Sequence, residues 1–404
     1  MLKKIFPVIA AFFISCAAYA VPVSFPTATS NQRLVADQFE SITDPTSNEQ
    51  ILLGLLEGVS LSNPSEAERI LSQLSGQQYT TLFTSMEIVN RQFLRRLYDP
   101  LRPLVTNPDS CNDEVYDLCS SDGIKAWAES SVNRSFLEGN KNAQGFKMSG
   151  YEISVGAQKR LSSIWTLGAG FCYSIDHFHY NVGGGGKTNT VLGGVYTLYR
   201  PANYYVLGDV TFGYATNSLH RRIAFSEDRI YFARSKPNIS AVSFYGEAGF
   251  DIDCECVLIQ PFAGFEANRF KRNCKFEHPQ GNKEQPYGNT ALLLIYSSKD
   301  VTNAYSRLGV HFTLPENCYD LFMSFDLAWQ YRLTSSRDNL LVRFQNFGVP
   351  FDITGVPNER NSMSFAYSIW SEVLDGWTLY LEASGERWKR VSNYEFTGGL
   401  IFKW

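Results

Sequence analysis

The sequence lacks a long apolar run after its first 20 residues. We find no later stretch of about 18 consecutive apolar residues, the length that a membrane-spanning helix needs. A large net charge is also missing, since 36 basic and 40 acidic residues give −4. Disordered chains are poor in aromatic residues, whereas 14% of these residues are aromatic. With 30 Gly and 16 Pro, a collagen-like or linker composition is excluded as well. The fold must accommodate many aromatic side chains without forming a bundle of membrane helices.

The first 20 residues are typical of a secretory signal peptide. Lys3 and Lys4 precede an apolar run over residues 5–14, and small residues end the segment. This order predicts cleavage after Ala20. Loss of the two lysines would change the net charge from −4 to −6. A chain with that charge has no electrostatic footprint for nucleic acid, so we expect no nucleic-acid partner.

Seven cysteines follow the predicted cleavage site, which is an odd number. They are Cys111, Cys119, Cys172, Cys254, Cys256, Cys274 and Cys318. Disulfides are plausible in an exported chain, and an odd count leaves at least one thiol free or paired with another chain. A local disulfide between Cys111 and Cys119 is the simpler interpretation, and disulfide cross-links to neighbouring envelope proteins are the alternative. The cysteine spacing does not match a zinc site, and we expect no metal.

Residues 31–99 have the pattern of helices. Apolar residues recur every three or four positions from Ala67 onward, and Ser75-Gly76 marks a break. Asn63-Pro64 provides a good N-cap and first helical residue. A helix over residues 75–98 would be about 36 Å long, enough to cross a bilayer core. The face opposite the apolar residues is polar, so it suits a water-filled pore lumen better than lipid.

From residue 124 onward the hydrophobic period changes to two. In the last segment, Phe396, Leu400, Phe402 and Trp404 fall on one face, and Thr397 falls on the other. Twelve segments show this alternation: 124–136, 150–160, 165–179, 187–199, 204–217, 240–253, 257–270, 301–314, 321–333, 362–372, 377–387 and 394–404. The connections between them alternate between short and long. Short turns at one rim and long loops at the other are typical of an outer-membrane β-barrel.

The predicted fold is therefore an all-β membrane protein. It is a 12-stranded antiparallel up-and-down transmembrane β-barrel with an N-terminal α-helical segment. A two-sheet sandwich is the alternative, but its polar face would not carry Glu, Asp and Arg at mid-strand as these segments do. The predicted organisation is a signal peptide (1–20), a helical pre-barrel segment (21–105), a cysteine-containing linker (106–123) and the barrel (124–404).

Two patterns that resemble catalytic motifs are better explained structurally. The run Gly183–Thr188 lacks the first glycine and the following helix of a phosphate-binding loop, so we interpret it as a hairpin loop. Alternation places His177 and His179 on one face and Asp176 on the other, which is typical of polar residues at a barrel rim. We therefore expect no catalytic residue, no cofactor and no enzymatic activity.

Three segments resemble one family. They are residues 31–36 together with 71–79, residues 126–129, and the aromatic C-terminus. The chain is similar there to the autotransporter β-domain family, the type V secretion translocators of Gram-negative outer membranes. The resemblance implies that outer-membrane lipids surround the barrel and that a helix lies in its lumen. Arg91, Arg95 and Arg96 of that plug helix are expected to meet acidic groups of the lumen.

The resemblance also implies how the barrel is assembled and oriented. The barrel-assembly machinery would recognise the terminal strand, with Phe396, Leu400, Phe402 and Trp404 as the signal. Short turns would face the periplasm and long loops the outside. Only about ten residues separate Ala20 from the pre-barrel helix. We therefore expect the barrel to anchor and translocate its own short N-terminal segment.

Two other functions remain open. A surface structural or adhesive protein would act through the long loops 218–239, 271–300 and 334–361, without transport. An outer-membrane hydrolase is the third possibility, and it would need a nucleophile or water beside the histidines that we do not find in the sequence.

Overall fold

A computed structural model describes residues 25–101, 124–201, 203–254, 256–280, 290–314, 321–334, 339–357 and 359–403. The predicted cleavage site at Ala20, the pair Cys111 and Cys119, and the terminal Trp404 lie outside the described residues.

Twelve antiparallel strands form the barrel. They are β1 (Ile124–Leu137), β2 (Phe146–Ser162), β3 (Trp165–Tyr180), β4 (Gly185–Tyr199), β5 (Tyr204–Ala224), β6 (Asn238–Phe250), β7 (Val257–Arg272), β8 (Lys299–Leu314), β9 (Phe322–Arg332), β10 (Asn361–Leu374), β11 (Trp377–Trp388) and β12 (Val391–Lys403). Each strand pairs with the next one, and β12 pairs with β1 along its full length. The predicted closed 12-stranded barrel is confirmed.

Burial alternates along most of the barrel strands, and in the last strand it has the phase that the sequence predicts. Outward-facing Val132, Phe212 and Phe396 are each more than half exposed, whereas inward-facing Glu129 and Ser131 are buried. In a soluble protein this arrangement would be inverted. It fits a barrel whose outer face contacts lipid and whose lumen is polar.

The three longest loops contain short strands that the sequence did not reveal. Ile230–Ser235 pairs with the end of β5, and His278–Gln280 extends that sheet. A separate sheet contains Lys275–Phe276, Leu294–Tyr296, Asn339–Phe344 and Phe351–Thr354. These strands are too short to show a clear alternation, and their partners lie in distant loops. At the opposite rim, Ile252–Cys254 pairs with the start of β7.

In the described residues before the barrel there are four α-helices. They are α1 (Ser30–Glu40), α2 (Ser47–Ser62), α3 (Pro64–Leu74) and α4 (Leu82–Tyr98). A 3₁₀ helix at Gln77–Thr81 precedes α4, and another at Asp99–Leu101 follows it. The expected break is present, because Gly76 has a φ of 72°. The predicted N-cap is also present, since the Asn63 side chain accepts a hydrogen bond from the Glu66 amide.

Within the described part of the chain, no helix is long and apolar enough to cross a membrane.

Helix α4 lies inside the barrel and runs along it from the long-loop end to the short-turn end. Almost all of its side chains are buried, and it packs against β2 to β6. Just before α4, Gln77 accepts a hydrogen bond from the Gln144 amide in the β1–β2 loop. Just after α4, the Pro100 carbonyl accepts one from Gln158 near the short turn after β2.

The other three helices form a cap over the long-loop mouth, which the sequence did not predict. We call residues 30–74 the cap. Asn31 exchanges hydrogen bonds with the backbone of Thr354, at 2.8 and 3.0 Å. Gln73 bonds the carbonyl of Val182 and the amide of Ala224, both at 2.9 Å. The cap therefore contacts the strand Phe351–Thr354 of a long loop, the turn after β3 and the end of β5.

The junction between cap and plug provides a test of how tightly they are coupled. A β-carbon at Gly76 would lie 2.6 Å from the Leu294 side chain, and the positive φ disfavours other residues. We expect Gly76→Ala to destabilise the cap by about 1–3 kcal/mol, measured as faster proteolysis of residues 30–74 in the folded barrel. Gly54→Ala is the matched control, because a β-carbon there meets nothing within 4 Å. Equal protease resistance of both variants would contradict this coupling.

Candidate functional site: the lumen and its helix

Arg91 of α4 lies in the first of two carboxylate clusters in the lumen. Its guanidinium is 3.0 Å from Glu266 on β7, 2.8 Å from Glu386 on β11 and 3.1 Å from Glu87 one turn earlier. It also lies over the ring of Tyr305, 4.2 Å from the centroid. The side chain is 8% exposed, so these contacts replace nearly all of its hydration. Charge-assisted bonds of this kind fix both the position and the rotation of the helix.

Arg96 lies in the second cluster, five residues further along α4. It approaches Glu129 at 3.5 Å and Glu152 at 3.1 Å, and it pairs closely with Glu395. It also donates a hydrogen bond to the hydroxyl of Ser131 at 2.6 Å. These residues belong to β1, β2 and β12, where the barrel closes. A single helix side chain thus bridges the first and last strands.

Arg95 is held more loosely than its two neighbours. Its nearest carboxylate is Glu382 at 3.8 Å, and the arginine side chain is 20% exposed. Of the three arginines predicted to meet acidic groups, two are therefore buried in clusters and one borders a cavity.

Small residues of the wall let the helix approach closely. A β-carbon at Gly170 would lie 2.6 Å from Leu97, and one at Gly194 would lie 3.0 Å from the same side chain. At Gly213 it would lie 2.9 Å from Met86. The lumen is shaped to α4 by the absence of side chains as well as by charge.

A third buried ion pair lies at the long-loop mouth. Arg221 pairs with Glu277 at 2.5 Å and donates to the carbonyls of Gln73 and Leu74 at 2.9 and 3.0 Å. The Tyr79 hydroxyl donates to Glu277 at 2.6 Å. Burial, and then the nearby carboxylate, raises the pKa of Tyr79 well above its usual value, so this donor stays protonated. The pair ties the end of α3 to the barrel and to a long loop.

A cavity remains beside α4 in the short-turn half of the lumen. It is partly open to solvent, and Arg95, Glu247 and Asp326 are among its lining residues. His311 lies between two carboxylates, with ring nitrogens 2.6 Å from Asp326 and 3.1 Å from Glu247. The Tyr205 hydroxyl donates to Glu247 at 2.7 Å. This network fixes the lumen wall beside the plug.

The structure also locates the histidines, the glycine run and the cysteines that the sequence analysis considered. Asp176 faces the lumen and is buried, whereas His177 and His179 face outward and are exposed. Gly183 and Gly184, with φ of 109° and 90°, form a tight hairpin turn. Cys256 is in a disulfide, and Cys254 and Cys274 are exposed free thiols at opposite rims. In the described part of the chain, no group of three or more His, Cys, Asp or Glu side chains is arranged to hold a metal.

The sequence does not show which carboxylates bind the helix arginines. Glu129, Glu152, Glu266 and Glu395 all occupy polar positions in alternating segments, so their inward orientation was available from the sequence. Their grouping around particular arginines was not, because it depends on how distant strands align.

The described residues of the predicted assembly signal face the lipid. Phe396 and Leu400 are 53% and 42% exposed. Phe402 packs against Trp377 of β11, with ring centroids 4.5 Å apart. The closing strand therefore presents an aromatic and apolar outer edge.

Comparison with known proteins agrees with the barrel fold described above. A family model described as autotransporter beta-domain matches residues 126–384. An extracellular serine protease of Serratia marcescens is 23% identical over 351 residues, which are 84% of this chain and 31% of that protein. The chain thus spans about a third of that relative's length. The translocator domain of autotransporter NalP from Neisseria meningitidis matches with a TM-score of 0.59 at 14% identity, over 79% of this chain and 98% of that one. At this identity the likeness shows a shared fold.

The two arginine clusters predict how the lumen is sealed. Replacing Arg91 or Arg96 by Met leaves buried carboxylates without a counter-charge, a loss of about 3–5 kcal/mol for a broken buried pair. We expect both variants to release α4 and raise the ion conductance of the reconstituted barrel in planar bilayers. Arg95→Met is the control and should conduct like the unmodified protein. Unchanged conductance in the Arg91 and Arg96 variants would contradict a sealing role.

Proposed function

Because the chain belongs to the autotransporter β-domain family, we propose that the barrel translocates its own N-terminal segment and retains it at the cell surface as the cap. The barrel is a type V secretion translocator in the outer membrane of a Gram-negative cell. The finer proposal concerns what it carries and where that segment stays.

The path of the chain through the lumen is the observation that carries this proposal. The cap packs on the long-loop mouth, α4 passes once along the lumen, and Pro100 lies at the short-turn end. Strand β1 then begins at that same end. The chain therefore has its cap at one mouth and the start of its barrel at the other.

We place the long loops outside the cell and the short turns in the periplasm. A segment that arrives in the periplasm must cross the lumen to reach the position of the cap. In this orientation the cap is the translocated segment, and α4 is the part that stops in the pore. The clusters around Arg91 and Arg96 then hold the helix after transport. No cofactor and no covalent step are needed.

The barrel-assembly machinery is the proposed partner during insertion. Strand β12 supports this role, because it must pair with both β11 and β1 to close the barrel. Its outward-facing residues, which include Phe396 and Leu400, form the proposed signal. Disulfide cross-links to envelope proteins are a further proposed interaction, and the exposed thiols of Cys254 and Cys274 are available for them.

A surface structural or adhesive role is the second candidate. The sheet formed by the long loops supports it, since Phe39 of the cap packs on Phe344 and Phe347 at 5.3 and 5.1 Å. Cap and loops together form one folded surface. In this second role the folded surface supports structure or adhesion at the cell surface, and no segment is transported.

Two native thiols and one introduced thiol test the orientation and the export of the cap. Leu61 on α2 is 89% exposed, so Leu61→Cys should accept a membrane-impermeant maleimide. On intact cells we expect labelling of Cys274 and of the Leu61→Cys variant. Cys254, at the short-turn rim, should label only after permeabilisation. Peptide mass mapping assigns each label.

The outcomes separate the two parts of the proposal. Labelling of Cys254 but not Cys274 on intact cells would reverse the orientation. Labelling of Cys274 without labelling at position 61 would show correct orientation but no exported cap, and would favour the loop-based role.

The assembly signal is tested at the C-terminus. We expect Trp404→Ala to impair insertion, seen as loss of the heat-modifiable gel mobility of the folded barrel in cell envelopes. Lys403→Ala is the neighbouring control and should assemble normally. Normal folding of the Trp404 variant in cells would count against the signal.

A further inference from the structure

Seven basic residues form a patch on the outer face of the barrel at the long-loop end. We define the basic patch as Arg134, Lys147, His177, His179, Lys187, His220 and Arg234. Four are arginine or lysine, and three of the five histidines in the chain are among them. The patch follows β1 to β5 and the adjacent strand Ile230–Ser235.

The strand register places these residues in two neighbouring rows. In the first row, Arg134 aligns with Ser149, which aligns with His177, and His177 aligns directly with Lys187. Side chains directly opposite each other on adjacent strands lie about 5 Å apart.

The second row lies one outward-facing residue closer to the loops. Lys147 aligns with His179, and His220 aligns with Arg234. Six strands at about 4.8 Å spacing give the patch a width of roughly 24 Å.

The charges of the patch are not neutralised by the protein. Among the described residues, no member of the patch forms an ion pair with a carboxylate. Arg234 donates a hydrogen bond to the Ser218 hydroxyl at 3.0 Å, and Arg134 lies over the ring of Phe136 at 5.2 Å. Asp176 lies between the two outward-facing histidines in sequence, but it points into the lumen. Four permanent positive charges and three histidines therefore face the surroundings of the barrel.

The patch lies directly above the lipid-facing surface. Two residues further from the loops, the aligned row is Val132, Tyr151 and Ile175, and the next row contains Ile153 and Tyr173. Each residue step along a strand is about 3.3 Å, so the surface changes from apolar to basic within about 7 Å. This is the level at which lipid headgroups meet the hydrocarbon core.

We propose that the basic patch binds the phosphate groups of a phosphorylated glycolipid in the outer leaflet. Clustered Lys and Arg side chains near a membrane surface attract anionic lipid headgroups, and Arg matches the geometry of phosphate oxygens. A patch roughly 24 Å wide can contact more than one phosphate group at a time. The choice of leaflet rests on the proposed orientation, whereas the binding itself does not.

The short-turn rim of the same strands offers a matched comparison. Lys159 on β2 is exposed and faces outward, next to Leu167 of β3. Its row neighbours Leu167 and Thr197 carry no positive charge. A single outward-facing lysine at the level of the other headgroups controls for nonspecific attraction.

The test uses the full-length barrel purified in detergent, with native mass spectrometry as the readout and bisphosphorylated lipid A as the probe. The variant Arg134→Gln/Lys147→Gln/Lys187→Gln/Arg234→Gln should bind the probe at least about tenfold more weakly. The double variant Lys147→Gln/Lys187→Gln should show a smaller loss and remains informative if the quadruple variant does not fold. Lys159→Gln should bind like the unmodified barrel. Heat-modifiable mobility verifies that each variant is folded.

Three results would overturn the proposal. One is equal affinity of the folded double variant and the unmodified barrel. Another is equal binding of dephosphorylated lipid A, and the third is a comparable loss in Lys159→Gln. Because binding in detergent is independent of orientation, thiol labelling of cells that reverses the orientation would move the patch to the other leaflet without removing the phosphate site.

Discussion

The need to hydrogen-bond every backbone group inside a bilayer determines the rest of this structure. Lipid offers no donors or acceptors, so a sheet that crosses it must close on itself. Pairing of β12 with β1 achieves this. Closure also explains the composition, because each strand places only every second residue in lipid. Outward-facing aromatic side chains such as Tyr151, Phe212 and Phe396 are therefore dispersed in the sequence and meet only in the folded barrel, whereas others such as Trp127 and Tyr380 are buried inside it.

Closure also creates a lumen whose charges require partners. Carboxylates such as Glu152 and Glu395 point into a space from which most water is excluded once α4 is present. Burying a charge is costly unless it is paired, and the arginines of α4 supply that pairing. Barrel and helix are thus complementary in charge, and at Gly170 and Gly194 they are also complementary in shape. The plug helix therefore contributes to the stability of the barrel wall.

Much of this architecture could be predicted from the sequence. The features that could not be predicted share one physical reason, which is that they depend on contacts between distant parts of the chain. The twelve strands follow from period-two alternation, and the end of α3 follows from the Ser75-Gly76 signal. The partners of the arginines do not, because Arg91 and Glu386 are 295 residues apart and meet only through the register of intervening strands. The cap was hidden for the same reason, since Asn31 finds its partner at Thr354, 323 residues away. Local pattern determines which face a residue occupies, and tertiary register determines what it meets there.

The single passage of the chain through the lumen links the features at the long-loop end. Since strand number is even, β1 begins and β12 ends at the same rim, so the barrel alone carries neither terminus to the other side. In the described chain, α4 makes this connection between the two rims. It places the cap at the long-loop end, where β5 and the loop strands extend past the apolar outer surface. The basic patch lies on the outside of those same rising strands. One end of the molecule thus combines the helical cap, a folded loop sheet and the basic patch, whereas the described connections at the other end are short turns. The helix in the pore connects these two ends, so the cap and the start of the barrel lie on opposite sides of the lumen.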